Sequence, residues 1–98
     1  MIIYEVDICI QKSIYKEYII WLNNHIEKML KIDGFSHFEK YETINEESAQ
    51  HVIVHYYVEN MEQLENYFSN FAKFMRNDGT ESFKENITIK RRMLKQCD

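Results

Sequence analysis

The sequence predicts an α+β fold of the ferredoxin-like kind, βαββαβ, and three observations predict it. The stretch QHVIVHYYVE, residues 50–59, alternates cleanly, with Val52, Val54, Tyr56 and Val58 on one side and His51, Ile53, His55 and Tyr57 on the other. Period-2 alternation of branched and aromatic residues marks a strand with two different faces. Two longer segments have apolar residues at helical spacing, and each follows a strand and runs into an Asp-Gly dipeptide. Proline is absent and the chain's two glycines are those of the two dipeptides, so it divides into matching halves, strand–cap–helix–Asp-Gly–strand. That order is the split βαβ arrangement. Its expected sheet is four-stranded and antiparallel in the order 4-1-3-2, with two helices on one face.

Each element has its own signal. Residues 2–10 alternate, with Ile2, Tyr4, Val6, Ile8 and Ile10 against Ile3, Glu5, Asp7 and Cys9. Ser13 offers an N-cap. From Ile14 to about Ile32 the positions Tyr15, Tyr18, Ile19, Leu22, Ile26, Met29 and Leu30 form a helical stripe. Gly34 suits a left-handed C′ position behind it. Phe35 to Thr43 forms a more polar edge strand, and Asn45 to Ala49 is the expected hairpin loop. Asn60 caps a second helix whose buried stripe is Leu64, Phe68, Phe71, Phe74 and Met75. It closes at Asp78-Gly79, and a turn around 81–84 leads to a last strand, Ile87 to Leu94.

Composition bounds the function. A chain of 98 residues is expected to form one domain, residues 1–98, burying roughly 65% of its unfolded surface. A net charge of −4 argues against general nucleic-acid binding, which phosphate neutralisation drives. No apolar run approaches the ~20 residues that span a bilayer. The N-terminus lacks a basic region and carries Glu5 and Asp7 in its apolar stretch, so no signal peptide and no membrane association are expected. A cytoplasmic location follows, and Cys9 and Cys97, expected at opposite ends of a strand pair, fit it without a disulfide.

The sheet face away from the helices is expected to carry Ile3, Glu5, Asp7, Cys9, Ile53, His55, Tyr57, Ile87, Ile89, Arg91 and Met93. So much apolar area among a few charges suits an interface better than open surface. A two-fold homodimer is expected, with Glu5, Ile53, His55, Tyr57 and Arg91 at its centre. The opening MIIYEV, Trp21-Leu22-x-x-His25-Ile26, Gly34-Phe35, Tyr56-Tyr57, Leu64-x-x-Tyr67, Phe83 and Arg91-Arg92 together resemble a small bacterial family catalogued only as a domain of unknown function. The resemblance covers nearly the whole chain. One departure is Glu27, where that family usually carries proline. The family is similar in fold to the dimeric α+β barrel superfamily, which includes cofactor-free quinol monooxygenases, haem-degrading enzymes and small isomerases. The resemblance therefore implies a dimer and a cavity between sheet and helices, without fixing a reaction.

Candidate chemistry centres on that cavity. Trp21 and His25 are four apart on the first helix and so are neighbours. His25 is the candidate catalytic residue, a general base, beside Trp21 as a wall for a flat ligand. Tyr4, Trp21, His25, Tyr56 and Phe71 are the expected ligand-binding set. The plainer reading is a core of packed aromatics, although buried tyrosine hydroxyls need partners and favour a polar-lined space. No cofactor and no metal are expected. His51 and His55 stand roughly 13 Å apart along a strand, His37 lies across the hairpin from His55 without a third ligand, and no metal-binding spacing occurs. RNA-recognition domains share the βαββαβ order, but the central strand lacks their glycine and stacking phenylalanines. Cys9 has no base in evidence, so nucleophilic catalysis is unsupported. Two readings remain: binding of a small aromatic or amphipathic molecule, extending to a cofactor-free monooxygenase-like or isomerase-like enzyme, or a structural or regulatory interaction module without catalysis.

Overall fold

The computed structural model describes residues 1–44 and 48–97, the side chains at 78, 80 and 81 excepted. In chain order the elements are β1 (Ile2–Gln11), a short 3-10 turn (Lys12–Ile14), α1 (Tyr15–Met29), β2 (Phe35–Glu42), β3 (Ala49–Val58), α2 (Met61–Asn70), α3 (Ala72–Phe83) and β4 (Ile87–Lys95). The hairpin loop expected from Asn45 to Ala49 lies at 45–47 outside the described residues.

The sheet is antiparallel throughout, in the order β2-β3-β1-β4, which is the expected 4-1-3-2 arrangement. Residues opposite one another in a ladder share a face. Tyr4 opposes Tyr56, Val6 opposes Val54 and Ile8 opposes Val52, and these bury against the helices. Across the other ladder Ile8 opposes Ile89 and Ile10 opposes Ile87. From α1 the buried residues are Tyr18, Leu22, Ile26 and Met29, and from α2 they are Leu64 and Tyr67. Each aliphatic side chain so buried contributes roughly 1.5–3 kcal/mol. The fold measures 38 × 32 × 18 Å. The shortest dimension accommodates one sheet and one helical layer, so the second sheet face carries no layer from this chain.

The edge strand β2 is held differently. Beyond Phe35 all its residues are exposed. It is tied to α1 by polar bridges, with Tyr15 Oη donating to Glu42 Oε2 at 2.8 Å and Lys40 Nζ donating to Asn23 Oδ1 at 2.7 Å. At its start Gly34 takes a left-handed φ of 90°, and a Cβ there would meet the Gln63 side chain at 2.1 Å.

Several local expectations are corrected. Ser13 caps nothing: it lies inside the 3-10 turn, and α1 begins behind Ile14 without a side-chain cap. α1 ends at Met29 with Leu30 as its C-cap, so Gly34 serves the turn into β2 and not the C′ position. Asn60 does cap α2, its side chain accepting from the Gln63 N–H at 2.9 Å. The second helix is broken at Phe71, whose φ of −126° leaves the helical range. Beyond the break the inward residues are Ala72, Met75 and Gly79, so of the expected Phe71, Phe74 and Met75 only Met75 is buried. Phe71 and Phe74 consequently turn outward, at 41% and 80% exposure. Asp78-Gly79 does not end this helix, which runs on to Phe83 through the expected turn. Gly79 lies against Trp21, and a Cβ on it would come within 2.5 Å of the indole. A helical glycine costs roughly 1 kcal/mol relative to alanine; here it gives the tryptophan its place.

Candidate functional site

Between the sheet and the helices lies a cavity of about 40 Å³, room for about three waters. Its floor comes from alternate residues of β1, β3 and β4, among them Tyr4, Val6, Val54, Tyr56, Ile89 and Arg91. Its roof comes from Tyr18, Trp21 and His25 of α1, Tyr67 of α2, and Arg76 and Gly79 of α3. Trp21 and His25 are half-buried and Arg91 is exposed, so these three mark where the space opens.

Four of the expected ligand-binding residues, Tyr4, Trp21, His25 and Tyr56, line this space together. Trp21 and His25 stack, with ring centroids 4.6 Å apart and 18° between planes. That geometry follows from their i, i+4 spacing on one helical face. Phe71 is a correction, because the break in the second helix turns its ring outward, away from the cavity. Arg91 is a second correction. It was expected on the open sheet face, but it opposes Val6 in the β1–β4 ladder and points into the cavity. The two faces of a strand differ by one residue, so assigning Ile87 and Ile89 outward carried Arg91 with them. Ile8 and Ile10, which those isoleucines oppose, are among the most buried residues, and that pairing could have corrected the assignment. Tyr18 was legible only as core, Tyr67 only as part of the Leu64-x-x-Tyr67 resemblance, and Arg76 had no signal in the sequence.

The walls are rich in polar groups. Burial pushes the phenol of Tyr18 up to about 12. Tyr67 is likewise raised to about 12, chiefly by burial and also by Tyr4, with Arg76 and Arg91 opposing. Tyr56 is pushed higher still, by burial first and then by the phenols of Tyr67, Tyr4 and Tyr18. With Tyr4, four phenols converge on one space. The rings of Tyr4, Tyr56, Tyr67 and Phe68 pack around them at centroid separations of 5.4 to 6.1 Å. Arg76 donates from Nη2 to Tyr4 Oη at 3.1 Å, while its Nε is buried without a hydrogen-bond partner among the described residues.

The opposite sheet face is arranged differently. Glu5 is buried to 8% exposure there, accepting from Arg92 Nε at 2.5 Å and from His55 Nε2 at 2.7 Å. The Arg92 guanidinium holds its carboxyl below the ordinary range, against the opposing effect of burial. His51 Nδ1 and Asp7 Oδ1 lie 2.8 Å apart, and Tyr57 donates to Glu39. Glu5, Ile53, His55 and Tyr57 thus share this face as expected, with Arg92 where Arg91 was placed. His37 lies across from Tyr57, its ring stacked at 4.2 Å, and Glu39 opposes His55. The irregularity between Phe35 and His37 shifts that register. Among the described residues no group of three or more His, Cys, Asp or Glu could hold a metal ion.

Comparison with solved structures places the fold. A candidate antibiotic biosynthesis monooxygenase from Deinococcus radiodurans superposes with a TM-score of 0.77 over 100% of this chain and 94% of its own, at 11% identity. SnoaB, a cofactor-independent oxygenase from Streptomyces nogalater, gives a TM-score of 0.74 over 99% and 94% at 6% identity. A de novo designed protein, Foldit4, gives 0.63 over 98% of each chain at 11% identity. At these identities the likeness shows the fold alone, the ferredoxin-like α+β arrangement, and a designed protein shares it. Among the described residues no helix is long and apolar enough to cross a membrane. No curated protein matches the sequence. The model of one family, described only as a domain of unknown function (DUF4286), matches residues 1–97, and the chain belongs to that family.

Proposed function

We propose that this protein binds a small amphipathic molecule in the space between sheet and helices. The observation that carries the reading is a polar-lined cavity under the helices, where four phenols meet an indole, an imidazole and two guanidinium groups. A core built only for stability would fill such a space with aliphatic side chains. Size narrows the ligand. Drug-sized sites run to roughly 300–1,000 Å³, so about 40 Å³ receives a head group while the remainder lies at the mouth beside Trp21, His25 and Arg91. The chemistry available there is proton transfer, with His25 or a cavity tyrosine as the group involved. This would suit a cofactor-free oxygenase or isomerase. SnoaB carries the first of those names and shares only the fold.

Trp21 is the single tryptophan in the chain and serves as a built-in reporter. A library of small aromatic and amphipathic compounds, followed by Trp21 emission and melting temperature, should yield ligands that change both. A library without one would remove the reading. With a ligand in hand, His25→Ala should leave the melting temperature nearly unchanged while weakening binding. Intact binding would make His25 a helix-surface residue.

A second reading concerns assembly, and it is compatible with the first. The uncovered sheet face presents Ile3, Ile53, Tyr57 and Leu94 around acids on β1 and bases on β4, Glu5 and Asp7 against Lys90 and Arg92. A two-fold axis over this face would bring each strip of one sign against the other, as an isologous contact requires. We assign the face to a second copy of the chain. Sedimentation at low micromolar concentration should give twice the chain mass, and Ile53→Glu should give monomers or aggregates. A well-behaved monomer of the unmodified protein would overturn it.

A further inference from the structure

Resting on the small-molecule reading, we infer that the cavity selects an anionic head group of the carboxylate class, held between Arg76 and Arg91. The first observation is the state of Arg76. Its guanidinium is fastened to Tyr4 Oη by one nitrogen, and its Nε is buried with no hydrogen-bond partner among the described residues. A buried donor left unmade costs a protein roughly 1–3 kcal/mol, more when the group is charged. Such groups are retained where something else completes them.

The second observation is independent and comes from another element. Arg91 reaches the same space from β4, and among the described residues no carboxylate lies within ion-pair distance of it. Its neighbour Arg92, on the opposite face, is paired with Glu5. Of these two adjacent arginines, Arg92 is paired with Glu5, while Arg91 lines the cavity and has no carboxylate partner among the described residues. Both Arg76 and Arg91 act on the phenol of Tyr67, so their fields overlap at one point of the wall.

The third observation is size. About 40 Å³ suits a group of three heavy atoms, as a carboxylate has. A guanidinium meets a carboxylate through two parallel N–H donors, a match that a neutral amide lacks. The cavity tyrosines supply further O–H donors to the same oxygens. Tyr18 and Tyr67 keep those protons to about 12.

The test compares acids with their neutral isosteres on the unmodified protein: benzoate with benzamide, 4-hydroxybenzoate with 4-hydroxybenzamide, and hexanoate with hexanamide. At least one acid should bind ten-fold or more tightly than its amide, read by Trp21 emission and titration calorimetry. Arg91→Gln, an exposed strand substitution, should lower that preference at least five-fold, and so should Arg76→Gln. Lys73→Gln, an exposed cation of α3, should leave it unchanged. If Arg76→Gln fails to fold through loss of its bond to Tyr4, the Arg91 variant and the acid–amide ratio still decide the matter. Amides binding as well as acids, or none of the six compounds binding, would overturn the carboxylate assignment. The cavity reading stands or falls separately, on the broad library: neutral ligands alone would preserve it, and no ligand would end it.

Discussion

The two faces of one sheet solve the problem of charge in opposite ways. On the uncovered face the acids Glu5, Asp7 and Glu39 are each met by an arginine, a histidine or a tyrosine hydroxyl. On the helix-covered side, Arg76 keeps a nitrogen that is unpartnered among the described residues, beside four phenols. Adjacent residues of one strand therefore serve different ends, His55 and Tyr57 in a polar mosaic and Tyr56 between them in the cavity wall. A paired charge is a finished structure, fixing register and partner. A buried donor without a partner among the described residues is the observation on which the proposed carboxylate site rests.

The largest expected effect separates the faces directly. Tyr56, 2% exposed, packs against Tyr4 and Phe35, so Tyr56→Ala should cost about 3–5 kcal/mol, as other large core truncations do. Tyr57→Ala, on the open side, should cost less than about 1 kcal/mol in the single chain. Urea denaturation of both variants checks this. Equal costs would mean that the open face is as well packed as the covered one.

Next in size is the contact between Gly79 and Trp21. Gly79→Ala places a methyl where the indole lies, and overpacking of this sort costs about 1–3 kcal/mol, less what alanine regains in the helix. The melting temperature should fall, and Trp21 emission should move toward that of exposed indole. An unchanged spectrum with higher stability would show that α3 has room to yield.

The smallest effect concerns the open face and pH. Arg92 and His55 hold the folded-state pKa of Glu5 below its ordinary value of 4.5. The unfolded chain then binds the proton more readily, so the contribution is complete above that value and is lost as pH falls through the lowered one. Glu5→Gln should cost about 1 kcal/mol at neutral pH, because Arg92 is well exposed, and should flatten the acid limb of melting temperature against pH. A limb of unchanged steepness would place the acid sensitivity elsewhere. On the covered face the sign reverses. Tyr18 and Tyr67, raised to about 12, contribute stability below pH 10 that is lost as pH rises through that range.

Alternation along β1 and β3, helical spacing along α1, and the capping asparagine at 60 determined the order of elements, the sheet topology and the pairing of Trp21 with His25. These are local rules, in which a residue's neighbours along the chain decide its face. Tertiary packing decided what local rules leave degenerate. The last strand offers two plausible faces, and only its pairing with the buried end of β1 sends Arg91 inward and Arg92 outward. One Asp-Gly dipeptide makes a left-handed turn at Gly34, while the other continues a helix, because Trp21 occupies the place where a side chain at 79 would stand. Phe71 and Phe74 carry a stronger apolar signal than Ala72 and Gly79, yet the small residues face inward because the cavity roof must come close. The Arg76 Nε, without a partner among the described residues, is the feature furthest from any local rule, since it depends on which side chains three separate elements bring to one point.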